Sequence, residues 1–182
     1  MRRPFRCLVV VTAMLLPGAV AVPATALSVP AKSVGEHYDY GTPVCGFALS
    51  IKLDKKKFAQ GEPVWGTVRI KNASRNARTI VVTDDKKQYL FSVTDLSRNN
   101  VPKLEFQKQL ETGPEILLRS VAREMIPECY LEYKFNLATR YDLSKPGKYI
   151  VQCHRNVNQY IPAVPKGVCG MVYSNKVEFI MK

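Results

Sequence analysis

Cys153 and His154 stand side by side, and they are the only thiol and imidazole that are neighbours in this chain. A cysteine nucleophile needs a base within hydrogen-bond reach. Adjacent residues of a strand point to opposite faces, so the pair predicts no catalytic dyad. His37, the second histidine, lies more than a hundred residues upstream, and both histidines read as solvated loop residues. The chain contains no G-x-S-x-G, no H-E-x-x-H and no phosphate-cradling glycine loop. Asp84-Asp85 is flanked by lysines and reads as a solvated hairpin turn, not a cation site. These residues predict no enzyme, no metal and no cofactor.

The cysteines carry different chemistry. Cys7 lies near the N-terminus, and Cys45, Cys129, Cys153 and Cys169 follow. No two of the four are separated by only two to four residues, the spacing that zinc ligand pairs usually show. An even number in an exported chain predicts two disulfides. Export is read from the first residues. Arg2, Arg3 and Arg6 precede an apolar run from Cys7 to Leu16, and Ala24-Thr25-Ala26 is a small-residue cleavage site. Residues 1–26 therefore read as a signal peptide, and the product as secreted or periplasmic with no transmembrane segment. Cleavage removes three arginines and no acid, so the formal charge falls from +12 to +9. That excess favours an anionic partner: an acidic protein, a polyanionic glycan or an envelope surface. No aromatic-basic stacking motif points to nucleic acid.

Two places could recognise such a partner. The stretch His154–Val168 carries Tyr160-Ile161-Pro162 and Val164-Pro165-Lys166, and proline restricts both itself and the residue before it. A stiffened loop loses little entropy on binding. Tyr160 and Ile161 supply anchors, and Arg155 or Lys166 a charge. The second place is Trp65, in phase with Thr67, Arg69 and Lys71 and so on the face opposite the core. It is either covered by the leader or by Arg69, or it is an exposed aromatic anchor. Asn72-Ala73-Ser74 matches the acceptor pattern for N-glycosylation in a eukaryotic secretory pathway.

The elements that hold these residues are strands. Residues 27–44 carry prolines and glycines without a period and read as a leader, partly disordered; a single domain spans 45–182. Strands are predicted from Cys45 to Leu53, Val64 to Lys71, Thr79 to Thr83 and Tyr89 to Thr94. Others are predicted from Cys129 to Leu137, Tyr149 to Cys153 and Asn175 to Lys182. Leu104 and Phe106, and Ile116 to Leu118, read as short strands between them. The sharpest alternation places Cys129, Leu131, Tyr133, Phe135 and Leu137 on one face. Seven or so strands separated by regular turns predict an all-β, immunoglobulin-like antiparallel β-sandwich. Strand parity puts the four cysteines at one pole and permits all three pairings. Sequence proximity favours Cys153–Cys169 with Cys45–Cys129.

Gly66-Thr-Val-Arg-Ile-Lys-Asn72-Ala-Ser74, Tyr89-Leu-Phe91-Ser-Val93-Thr-Asp95 and Gly147-Lys-Tyr149 resemble the BsuPI family of small proteinase inhibitors. Phe58-Ala-Gln-Gly-Glu-Pro-Val64 resembles the opening of accessory sandwich domains beside secreted bacterial hydrolases. The resemblance implies an immunoglobulin-like sandwich. Two functions follow as expectations: a non-catalytic binding module and, in competition with it, a proteinase inhibitor whose 154–168 loop enters a protease cleft. A small accessory enzyme ranks below both.

Overall fold

The computed structural model describes residues 37–82, 88–112, 121–161 and 164–182, without the side chains of 158–161 and 164–169. The expected signal peptide, the Asp84-Asp85 turn and the Ile116–Leu118 strand lie outside the described residues.

The chain is all-β. Strands β1 (Phe47–Leu53), β3 (Trp65–Asn72) and β7 (Tyr130–Asn136) form one antiparallel sheet in the order β1-β3-β7. A second sheet has the order β2-β9-β8-β5, from β2 (Lys57–Phe58), β9 (Val164–Met181), β8 (Gly147–Ile161) and β5 (Leu90–Asp95). Its strands run antiparallel except for the short parallel pair β2–β9. β4 (Arg78–Val82) and β6 (Val121–Met125) make a separate two-stranded ribbon.

Alternation explains the packing. Val64, Val68 and Ile70 of the β3 region, Phe135 of β7, Phe91 and Val93 of β5 and Tyr149, Val151 and Phe179 of β8 and β9 are all buried. Their partners one residue along face outward. The two sheets meet through aromatic rings: Phe91 against Phe135 at 4.5 Å and Tyr89 stacked on Tyr133 at 5.3 Å between centroids. Gly66 sits directly opposite Phe135. A Cβ there would come within 2.6 Å of both the Phe135 ring and Lys52 O, so glycine is what lets this ring lie flat across β3. Phe135 and Leu137 are buried as expected, while Leu131 and Tyr133 are only partly so.

Residues 37–44 are not a loose leader. Cys45 and Gly46 have φ of 51° and 81°, and Val44 and Phe47 exchange both main-chain hydrogen bonds around them. Two successive left-handed residues are the geometry of a type I′ hairpin turn. The leader thus folds back along the outer edge of β1. Gly41 N donates to Leu49 O and Ser50 Oγ to Asp39 O. Further along that edge, the Asn175 amide accepts from Ile51 N at 2.8 Å and donates to Ile51 O at 3.1 Å.

Three expectations are corrected. Leu104 and Phe106 do not lie in a strand: Glu105–Thr112 is a helix, α1, and both apolar side chains are exposed. Polar contacts hold it instead. Gln107 is its one buried residue and accepts from Arg140 at 3.0 Å, and Lys103 pairs with Glu111 at 2.6 Å. Next, β8 does not end at Cys153. It runs on to Ile161 and pairs with β9 up to Val164, so the stretch expected to be a loop is a two-stranded ribbon.

The third correction concerns the thiols. Cys45 and Cys129 are disulfide-bonded, but Cys153 is free and buried. On the ribbon, Cys169 falls beside the bulge between Val157 and Asn158. That is about 13 Å from Cys153 at about 3.3 Å per strand residue, against the roughly 4.4–6.8 Å between Cα atoms that a disulfide needs. Burial pushes the Cys153 thiol well above the ordinary range, against the opposing pull of Arg140 and Arg155. Alkylation of the native protein should therefore leave Cys153 unmodified, and alkylation after denaturation without reductant should label it. A Cys153 peptide that needs reductant before it labels would show a bridge.

Candidate binding surface

The ribbon changes the standing of the recognition residues read from sequence. Inward positions on β8 continue past Cys153, so Arg155 points into the core and is only 2% exposed. Its Nη1 donates to Tyr89 Oη at 2.9 Å and its Nη2 to Val81 O at 2.8 Å. Arg155 is thus no recognition charge; its buried guanidinium ties β4 and Tyr89 to β8. Tyr160 and Ile161 lie on β8 and Lys166 on β9, with side chains outside the described residues. His37 is exposed and 3.3 Å from Asp39. His154 is a strand residue paired with Leu90, and burial lowers its pKa. Trp65 is 48% exposed on the outer face of the β1-β3-β7 sheet. Arg69 does not cover it: the guanidinium is held between Tyr38 at 3.6 Å and Tyr130 at 4.0 Å and bonds Glu132.

The glycosylation pattern is also decided by burial. Asn72 has no exposed surface. Its Nδ2 donates to Asn76 O at 2.8 Å and Met125 O at 2.7 Å, and its Oδ1 accepts from Ser74 N and Ser74 Oγ. Both amide hydrogens are committed, and the nitrogen has no room for a glycan. Among the described residues no three His, Cys, Asp or Glu gather as a metal site, and no helix is long and apolar enough to cross a membrane.

An accessible groove of about 470 Å³ lies elsewhere, on the outer face of β5, β8 and β9. It is lined by Ser92, Thr94, Arg98, Ile150, Gln152 and Lys176. The register shows why they converge. Ser92, Gln152 and Lys176 form one cross-strand row, and Thr94 and Ile150 begin the next, which ends in Glu178. Gln152 Nε2 donates to Ser174 O at 2.9 Å, which fixes that side chain.

Arg98 comes from the turn after β5. Asp95 N donates to Asn99 O and Arg98 N to Asp95 O. The Asp95 carboxylate accepts from Asn99 N at 2.9 Å and Asn99 Nδ2 at 3.1 Å; the main-chain bond from Asn99 is the leading cause of a lowered Asp95 pKa. This closed turn holds Arg98 at φ 64°, a conformation that side chains other than glycine seldom adopt. Two cations and no acid line the groove. Sequence reading missed all six residues, because outward polar positions on a strand look like an ordinary solvated face. The one local signal was Asp95-Leu-Ser-Arg-Asn99, an Asx-type turn with a basic tip.

The chain matches no protein-family model and no curated protein. One solved structure, described by "AvmM Catalyzes Macrocyclization in Alchivemycin A Biosynthesis", aligns over 81% of this chain and 96% of its own. Identity is 10% and the TM-score 0.37, a likeness too slight to carry anything about activity.

Proposed function

We propose that the chain is a secreted, non-catalytic binding module on an immunoglobulin-like sandwich, with the outer face of β5, β8 and β9 as its binding surface. The groove on that face carries the reading. It offers hydroxyls, an amide and two cations on three mutually paired strands, so a ligand meets a rigid surface and little is lost in ordering it. The strand order supports the sandwich type: the first strand splits, β1 pairing with β3 and β2 running parallel to β9. Tyr149, at the start of β8, donates its hydroxyl to Lys145 O four residues upstream at 2.7 Å, as in a tyrosine corner. We take Cys45 and Cys129 to be bonded to each other, tying the turn before β1 to the residue before β7.

The test uses the mature protein as bait in native culture fluid, beside an Ile150→Glu variant that places an acid on the groove floor. A partner held by the wild type and lost by the variant, with unchanged melting, supports the reading. A partner held equally by both overturns the choice of face. A captured protease that loses activity on binding would replace this reading with inhibition, the function that the BsuPI resemblance implies.

A further inference from the structure

The binding face extends beyond its groove. The cross-strand row next to Ser92–Gln152–Lys176 is Leu90–His154–Tyr173. Tyr173 is 50% exposed, and its ring lies 5.6 Å from that of His154 at a 34° tilt. A half-exposed aromatic ring therefore adjoins the hydroxyl, amide and cationic groups, about 7 Å along the strands.

The backbone of this face is unavailable. β8 pairs with β5 on one side and β9 on the other, and the outer edge of β5 is engaged at Phe91 O by Tyr141 Oη, at Val93 O by Val101 N and at Asp95 N by Asn99 O, so recognition on this face runs through side-chain tips. Ser92, Thr94 and Gln152 suit a ligand rich in hydroxyls. Arg98 and Lys176 suit carboxylates or sulfates, and Arg can bind them bidentately. The Tyr173 ring suits the apolar face of a sugar. An extended acidic peptide would make little use of the hydroxyl row, and its own main-chain groups would find no partners.

Building on the binding-module reading, we propose that this face binds an acidic polysaccharide, with Arg98 and Lys176 at its charged groups and Tyr173 under a sugar ring.

The probes are an oligogalacturonate, poly-L-glutamate of matched charge and a neutral maltooligosaccharide, each titrated calorimetrically into the mature protein. The oligogalacturonate should bind best, and more weakly as salt is raised. Tyr173→Ala should weaken it about tenfold, and Arg98→Gly with Lys176→Gln about a hundredfold, the scale of one and two strong contacts. Arg98→Gly also relieves the left-handed backbone, so lost affinity is not lost folding. Lys134→Gln, on the other sheet, should stay within about twofold.

No oligogalacturonate binding, or affinity unchanged in the double variant, overturns the proposal. So does poly-L-glutamate binding as well or better with Tyr173→Ala neutral, which would mark an acidic protein segment as the ligand. If the partner captured from culture fluid is still lost with Ile150→Glu while no acidic oligosaccharide binds, the binding module stands and only the ligand class falls.

Discussion

Replacing Asn72 by alanine should cost about 4 kcal/mol, because four side-chain hydrogen bonds at about 1 kcal/mol each disappear together. The position is the last of β3, where that strand meets the 72–76 turn and the end of β6. Its amide donates to Met125 O, and with the amide gone that carbonyl faces an apolar methyl group. Asn72→Asp should do no better: a carboxylate still accepts from Ser74 but sets a negative oxygen against two carbonyls. Ser74→Ala removes only the hydroxyl bond, one of the four, because the Ser74 main-chain N–H still donates to Asn72 Oδ1, and should cost about a quarter as much. Urea unfolding of the three variants reads the order. An Asn72→Ala protein within about 1 kcal/mol of wild type would show that the amide is solvated and that the folded chain has room for modification there.

Phe135→Ala should cost roughly 3–5 kcal/mol, the range for emptying an aromatic core site. The ring fills the space that Gly66 leaves open on the neighbouring strand and packs against Phe91 of the other sheet. Little can move in to replace it, since the glycine has no side chain to repack. Lys134, one residue away and exposed, should change stability by about 0.5 kcal/mol or less as alanine. Equal and mild effects would mean that β7 is out of register by one residue, which would turn every side chain to the wrong face.

Strands were legible where one face is buried and the other wet. Val64 to Lys71, Tyr89 to Thr94 and the end of β7 show a period of two because their outward residues are polar and their inward ones are not. α1 left no such trace: it docks through Gln107, and the apolar Phe106 on it and Leu104 just before it are exposed. The outer half of the β8–β9 hairpin was hidden by Pro165 and Gly167, which read as loop residues although both lie within β9. Arg155 misled for a related reason. An arginine reads as surface, and only the continued alternation past Cys153 turns it inward, where tyrosine and carbonyl partners accept it. The even cysteine count was read as two bridges, and strand geometry separates one pair. The binding face was the least visible feature, because it is built across three strands and only register brings its side chains into rows.

The folded-back leader and the Asn175 amide also decide how one copy of this molecule meets another. An edge strand with free main-chain groups is a template for a neighbour's edge. Here β1 has Leu49 O and both main-chain groups of Ile51 already engaged from within the same chain, and a side chain at Gly41 would strike Tyr173 O. The cover is thus a close fit that tolerates no bulk. It makes the protein self-limiting along that border: growth by strand addition would first have to peel away residues 39–44 and displace an amide from the far sheet. Such a seal favours the solitary, dispersed state over stacking.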